Sequence, residues 1–161
     1  MKTKKFNWKK YIIACLNSTQ FFALATVNKD KVWVCPVYFA FDKKLQLFFI
    51  SQPSSRHMRN IMRNPSVAVA IYSTAQEPRK DVFGVKFEGM ARVVSGASAI
   101  KYAHLIYFKI TPYRRPVKAG DYMSPKGSWL FVKIIPKQMY YFDTKFFGEN
   151  RQKVPTGVFG R

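Results

Sequence analysis

Acidic residues are scarce in this chain: 8 Asp and Glu stand against 28 Lys and Arg, a formal net charge of +20 over 161 residues. No paired carboxylate or Ser-His-Asp set stands out, so acid–base or nucleophilic hydrolysis has no sequence support. Cysteine is equally sparse. Cys15 and Cys35 make no disulfide framework and read as small buried residues, one on a helix and one in a strand, which fits a reducing compartment. The only histidines are His57 and His104, too few and too far apart for a metal site. Long apolar runs are missing too. The longest, Val32 to Phe41, is broken by Pro36 and falls far short of the roughly 20 residues that span a bilayer. The basic start, Met1 to Lys5, lacks the apolar region and cleavage site of a secretory signal. These absences lead us to expect a soluble, cytoplasmic chain with no membrane partner.

What is present is apolar and aromatic. Hydrophobic residues make up 48% and aromatics 17%, enough for a sizeable core in one domain over 1–161. Trp8, Ile12 and Leu16 recur at helical spacing, so 7–17 reads as a helix within an N-terminal segment 1–18. Residues 20–27 and 32–41 read as a hairpin around Asn28-Lys29-Asp30, followed by a strand at 45–51. A short helix from Ser54 or Ser55 to Arg63 ends at Asn64-Pro65. Strands at 67–72 and 83–94, a helix from Ser95 or Ser98 to about Phe108, and strands at 129–135 and 138–142 complete the pattern. Residues 109–127 are basic and broken by Pro112, Pro116, Gly120, Pro125 and Gly127, a length typical of a lid or binding loop. The tail 148–161 shows no periodicity. Meandering strands with interspersed helices argue for a mainly β, α+β fold built on a barrel or open antiparallel sheet.

The positive charge attracts polyanions: nucleic acid, an acidic membrane surface or phosphorylated small molecules. It gathers at Lys2 to Lys10 and at Arg114, Arg115 and Lys118 without forming a recognisable nucleic-acid module, and a merely solvated basic surface is the plainer alternative. The most informative local feature is the helix opening at Ser55-Arg56-His57. Free N–H groups at a helix N-terminus attract anions. The Ser54 and Ser55 hydroxyls add donors, Arg56 a planar fork that suits phosphate, and His57 a further donor. Spacing alone leaves open an ordinary capped helix. Tyr38 and Tyr102 are possible proton donors, though aromatic-rich cores usually just pack tyrosines, and His104 reads as structural.

From Phe22 to about Val94 the order of motifs resembles the pyridoxamine 5′-phosphate oxidase-like, flavin-mononucleotide-binding split barrels. The carrying residues are Ala23-Leu24-Ala25-Thr26-Val27, Pro36-Val37-Tyr38-Phe39-Ala40-Phe41-Asp42, Leu47-Phe48-Phe49-Ile50-Ser51, Ser55-Arg56-His57-Met58-Arg59-Asn60-Ile61 and Asn64-Pro65-Ser66-Val67-Ala68-Val69. Gly84-Val85-Lys86-Phe87-Glu88-Gly89, Lys101-Tyr102 and Phe142-Asp143-Thr144-Lys145-Phe146-Phe147-Gly148 are similar to a small YhbP-like branch. The resemblance implies a six-stranded antiparallel split β-barrel with flanking helices, working as a homodimer with two FMN sites at the interface. It sets the flavin ring near Val34, Pro36, Val37 and Tyr38, and the ribityl chain along Ile50 and Ser51. Ser55, Arg56 and His57 fall at the phosphate, with Lys86 and Trp129 contributing across the interface.

The chain departs from the vitamin B6 oxidases of that superfamily. Val34 and Phe39 stand where they carry Arg and Lys, Gly84 where they carry Gln, and His57 where they carry Lys. The C-terminal arginine motif that holds their substrate phosphate has no counterpart. The expectation is therefore an FMN-dependent oxidoreductase of another substrate, an anionic small molecule or reduced nicotinamide cofactor admitted by the basic loop. Its rivals are a flavin-binding dimer without turnover and a basic module for nucleic acid or another polyanion that has lost the cofactor.

Overall fold

A computed structural model of the chain describes residues 6–77, 79–110, 118–122 and 129–159. The first helix, α1 (Trp8–Asn17), opens on Asn7, whose side chain accepts the Lys10 amide, and buries Ile12, Cys15 and Leu16. The expected hairpin follows as β1 (Phe21–Asn28) and β2 (Lys31–Tyr38), with Asn28 opposite Lys31. The strand expected to run on to Phe41 stops at Tyr38. There the Phe39 N–H donates to the Gln20 carbonyl, and its ring packs in the core against Phe22. The chain resumes as the two-residue β3 (Ala40–Phe41), paired with β4 (Leu47–Ser51). Between them Asp42 makes the turn: its Oδ1 accepts the amides of Lys44 and Gln46, holding buried Leu45 at a left-handed φ of 59°.

Then come α2 (Arg56–Arg63), β5 (Ser66–Ile71), β6 (Phe83–Val93) and α3 (Ala97–Ile110). Helix α3 starts at Ala97, which puts Ser98 inside its first turn. The two strands expected at 129–135 and 138–142 are one, β7 (Leu130–Asp143). Pro136 interrupted the pattern but not the strand, because it sits opposite Gly89 where the β6–β7 register shifts between Glu88 and Gly89. The backbones crowd there: a Cβ on residue 89 would lie 2.7 Å from the Ile135 carbonyl oxygen. The tail is ordered through α4 (Thr144–Phe147), β8 (Gln152–Lys153) and a short 3₁₀ turn, with Val154 and Phe159 buried.

The strands join in the order β2-β1-β5-β6-β7-β4-β3, all pairs antiparallel, with β8 beside β7. Six long strands (β1, β2, β4, β5, β6 and β7) carry the split barrel, and the two-residue β3 and β8 extend it. Its interior holds Phe22, Leu24, Val69, Val85, Phe87 and Ile134, packed with Ile12 of α1 and Met58 and Ile61 of α2. A second cluster lies under α3, where Ile100, Ala103 and Tyr107 meet Phe48 of β4 and Phe131 of β7. Strand β4 therefore buries both faces. Of the basic segment 109–127, Lys109 lies in the last turn of α3 and Lys118 precedes a 3₁₀ turn (Ala119–Tyr122) whose Tyr122 joins the second cluster. Arg114 and Arg115 lie outside the described residues. No helix among those residues is long and apolar enough to cross a membrane.

Candidate functional site

The site is assembled where β4 ends and α2 begins. Ser51 is the last residue of β4, paired with Leu130 at the start of β7, and is only 6% exposed. Gln52 and Pro53 turn the chain, and the Ser55 amide closes the turn on the Gln52 carbonyl. Ser55 is the N-cap of α2, extended at φ −66° and ψ 152°, and its hydroxyl accepts the Met58 amide at 3.4 Å. That cap brings three polar groups together. His57 Nε2 lies 2.6 Å from Ser51 Oγ and 3.2 Å from Ser55 Oγ, and the two hydroxyls are 3.2 Å apart. Partial burial, in part against the Phe49 ring, holds the imidazole below its ordinary pKa. The neutral ring and the two hydroxyls are thus within mutual hydrogen-bond reach, and the trio satisfies itself.

Arg56 adds a permanent charge beside the trio. Its guanidinium stacks over the indole of Trp33 on β2, 4.3 Å from the ring centre. Arg59 donates to the Ser54 carbonyl and steadies the turn. Asn60, buried in the middle of α2, donates to Thr26 Oγ1 on β1 at 3.0 Å and pins the helix against the hairpin. Trp33 was not singled out by the sequence, and Arg59 stood there only as part of the α2 motif. The alternation along β2 was the one available signal for Trp33, since it puts Trp33 on the face opposite to Val34.

Strand β2 ends the sheet and pairs with β1 alone. An end strand leaves one row of backbone N–H and C=O groups without a strand partner, which a planar ligand can use. Of the four residues expected near a flavin ring, Val34, Pro36 and Tyr38 are exposed on the outer face of β2, while the Val37 side chain points into the core. Val34 and Pro36 border a concavity of ≈ 450 Å³ with Ala23, Ala70 and Tyr72. Tyr38 packs on the Phe21 ring, 3.9 Å between centres. Ile50 is half-buried against the α3 cluster. Trp129 is exposed immediately before Leu130, next to Ser51 within the same chain. Lys86 stands apart on the outer face of β6, between Ala70 and Tyr140.

Phe39, where the vitamin B6 oxidases carry Lys, is wholly inside the core. Tyr102 is committed elsewhere, donating to buried Asp42 at 3.2 Å, with its hydroxyl pushed up by burial and by that carboxylate. His104 lies among the rings of Phe108, Tyr122 and Phe131. Cys15 is buried and its thiol pushed up to about 12, so it is no nucleophile. Among the described residues no group of His, Cys, Asp and Glu could hold a metal ion.

No curated protein matches the chain. Among solved structures it is similar to a heme binding protein from Mycobacterium smegmatis, with a TM-score of 0.74 at 14% identity. That match covers 98% of this chain and 61% of the other, so the chain spans under two thirds of that relative. An FAD-binding protein from Mesorhizobium loti matches with a TM-score of 0.65 at 16% identity over 89% and 99% of the two chains. The FAD binding protein from Mycobacterium smegmatis matches at 0.61 and 14%, over 83% and 93%. At these identities the likeness is one of fold. The family model for pyridoxamine 5′-phosphate oxidase matches residues 9–142, from the first turn of α1 nearly to the end of β7. With this match over most of its length and a split barrel in three dimensions, the chain belongs to the pyridoxamine 5′-phosphate oxidase family.

Proposed function

We propose that this protein binds flavin mononucleotide as a homodimer and serves as an oxidoreductase in a reducing cytoplasm, on a substrate other than pyridoxamine phosphate. The observation that carries this reading is the Ser51–Ser55–His57 trio with Arg56 at the N-terminus of α2, beside the unpaired edge of β2. The donor set fits a phosphate monoester: two hydroxyls, an imidazole, a guanidinium and free helix N–H groups. Ser51, Ser55 and His57 would hold the phosphate with Arg56, and the backbone of β2 would take the ring edge. The names of the relatives that bind FAD or heme support a cofactor role for this fold, and the family itself supports a flavin.

A bound flavin supplies reversible hydride and electron transfer. The chain's own part is to bind and orient. Arg56 would pair with the anion, and the Ser51 and Ser55 hydroxyls would donate to it. A second copy would cover the outer face of β2, where Val34 is 56% exposed and Tyr38 lies open beside exposed Phe21 of β1. Val34, Phe39 and Gly84 in place of the charged and amide residues of the vitamin B6 oxidases argue for a different substrate, an anionic small molecule or a reduced nicotinamide.

The test is an absorbance spectrum of the purified protein followed by titration with FMN. A bound-flavin spectrum or micromolar affinity is the expected result. No uptake at millimolar FMN would overturn the cofactor assignment.

A further inference from the structure

We propose that the solvent face of α2, continued by Lys31 and Trp33 of β2, is a binding surface for single-stranded nucleic acid. It does not depend on the flavin reading, although Arg56 stands at the border of both. Arg56, Arg59 and Arg63 recur at i, i+3 and i+7, so they form one exposed stripe about 10 Å long on α2. Buried Asn60, bonded to Thr26, fixes the flank of the helix beside the stripe to the hairpin, while Met58 and Ile61 turn the other side into the core. Thr26 is paired with Trp33, and Asn28 with Lys31. Lys31 and Trp33 share one face of β2, the face on which Arg56 of α2 stacks, so the stripe continues onto the strand.

The electrostatics favour a polyanion. The chain has 8 acids, and the described structure withdraws several of them. Asp42 and Asp143 are buried on backbone amides and tyrosine hydroxyls, and Glu77 pairs with Lys80, the only ion pair among the described residues. Asp30, in the hairpin turn, is flanked by Lys29 and Lys31. A row of arginines with no acidic partner among the described residues suits a phosphate backbone. The aromatic ring within the row adds selectivity for bases over bare charge. Trp33 is 37% exposed, and Met62 on α2 is exposed as well. Arginine interleaved with an accessible aromatic is how single strands are held without sequence readout.

The experiment measures fluorescence anisotropy of a labelled oligouridylate 20-mer across a salt series. Three proteins are compared: the wild type, a Lys31→Gln/Arg63→Gln variant, and a Lys9→Gln/Lys109→Gln variant. Both variants lose two positive charges; the second loses them from α1 and α3. At about 0.7 in the log–log salt slope per lost single-strand phosphate contact, the first variant should bind about 25-fold more weakly at 0.1 M salt. Its salt slope should be about 1.4 shallower. The α1/α3 variant should stay within about threefold of wild type, and inorganic polyphosphate of equal charge should compete about tenfold less well than unlabelled RNA. Equal losses in both variants would mean diffuse attraction and overturn the proposal, as would polyphosphate or anionic vesicles competing as well as RNA. FMN affinity of the Lys31→Gln/Arg63→Gln variant should be unchanged, because neither residue touches the trio. Failure of RNA binding with FMN binding intact therefore sinks this inference alone.

Discussion

Helices α2 and α4 start with opposite chemistry, and the contrast separates a structural end from a receptive one. The α4 N-terminus is closed by the chain's own carboxylate. Asp143 is buried, accepts the Lys145 amide at 3.0 Å and takes the Tyr141 hydroxyl at 2.8 Å, which together with burial pushes that phenol far up. Negative charge already sits where the helix dipole wants it. The α2 N-terminus is capped by neutral Ser55, has no acid in its first turn and starts with Arg56. Its dipole and its guanidinium would favour a negative group, and the first turn of α2 holds none. In a protein with so few acids, one of them was spent on α4 and none on α2.

The largest effect that would break this contrast is at the closed end. Asp143→Ala removes a cap and orphans the Tyr141 hydroxyl, and should cost about 3 kcal/mol in urea unfolding. A loss below about 1 kcal/mol would mean that the two ends are not different in kind. Next, Arg56→Ala should weaken FMN affinity about 10–100-fold by calorimetric titration, with the melting temperature little changed. Unchanged affinity would take Arg56 out of the phosphate role. Ser55→Ala should then cost about 1 kcal/mol of stability, as lost neutral caps do, with FMN affinity also falling. Stability loss alone would make α2 an ordinary capped helix.

The smallest effect concerns pH. Because burial lowers the His57 pKa in the folded state, the unfolded chain takes up the proton first as pH falls. Stability is therefore undiminished above about 6.5, declines as pH drops through the window down to the folded pKa, and levels off below it. The melting difference between pH 7.5 and pH 5 should be smaller in His57→Asn than in wild type. Bound FMN should reverse the trend at this residue, since the phosphate favours the protonated ring. Identical pH profiles with and without FMN would separate His57 from the ligand.

Much of the architecture was legible in the sequence because local pattern and tertiary demand agree. The hairpin around Lys29 and Asp30, the cap at Ser55 and the stop at Asn64-Pro65 are local matters of backbone preference, and all three stand in the structure. The misreadings fell where distant parts decide. Pro136 looked like a break until Gly89, far away in sequence, gave it a bulge to sit in. Phe39 ended β2 because the core needed its ring. The tail 148–161 had no period because its anchors, Val154 and Phe159, are single residues reaching the core rather than a repeating face.

Composition and pattern by themselves determined a basic, aromatic-rich, mainly β chain with a serine-capped basic helix start, and the order of motifs carried the resemblance that implied a split barrel. Those properties are carried by short runs of adjacent residues. Only the tertiary structure decided that Ser51 would meet His57, that Arg56 would rest on Trp33, and that Asp42 and Asp143 would be withdrawn from the surface. Each of these depends on which strands lie side by side, and strand order is set by the burial of the whole core rather than by any local stretch of chain.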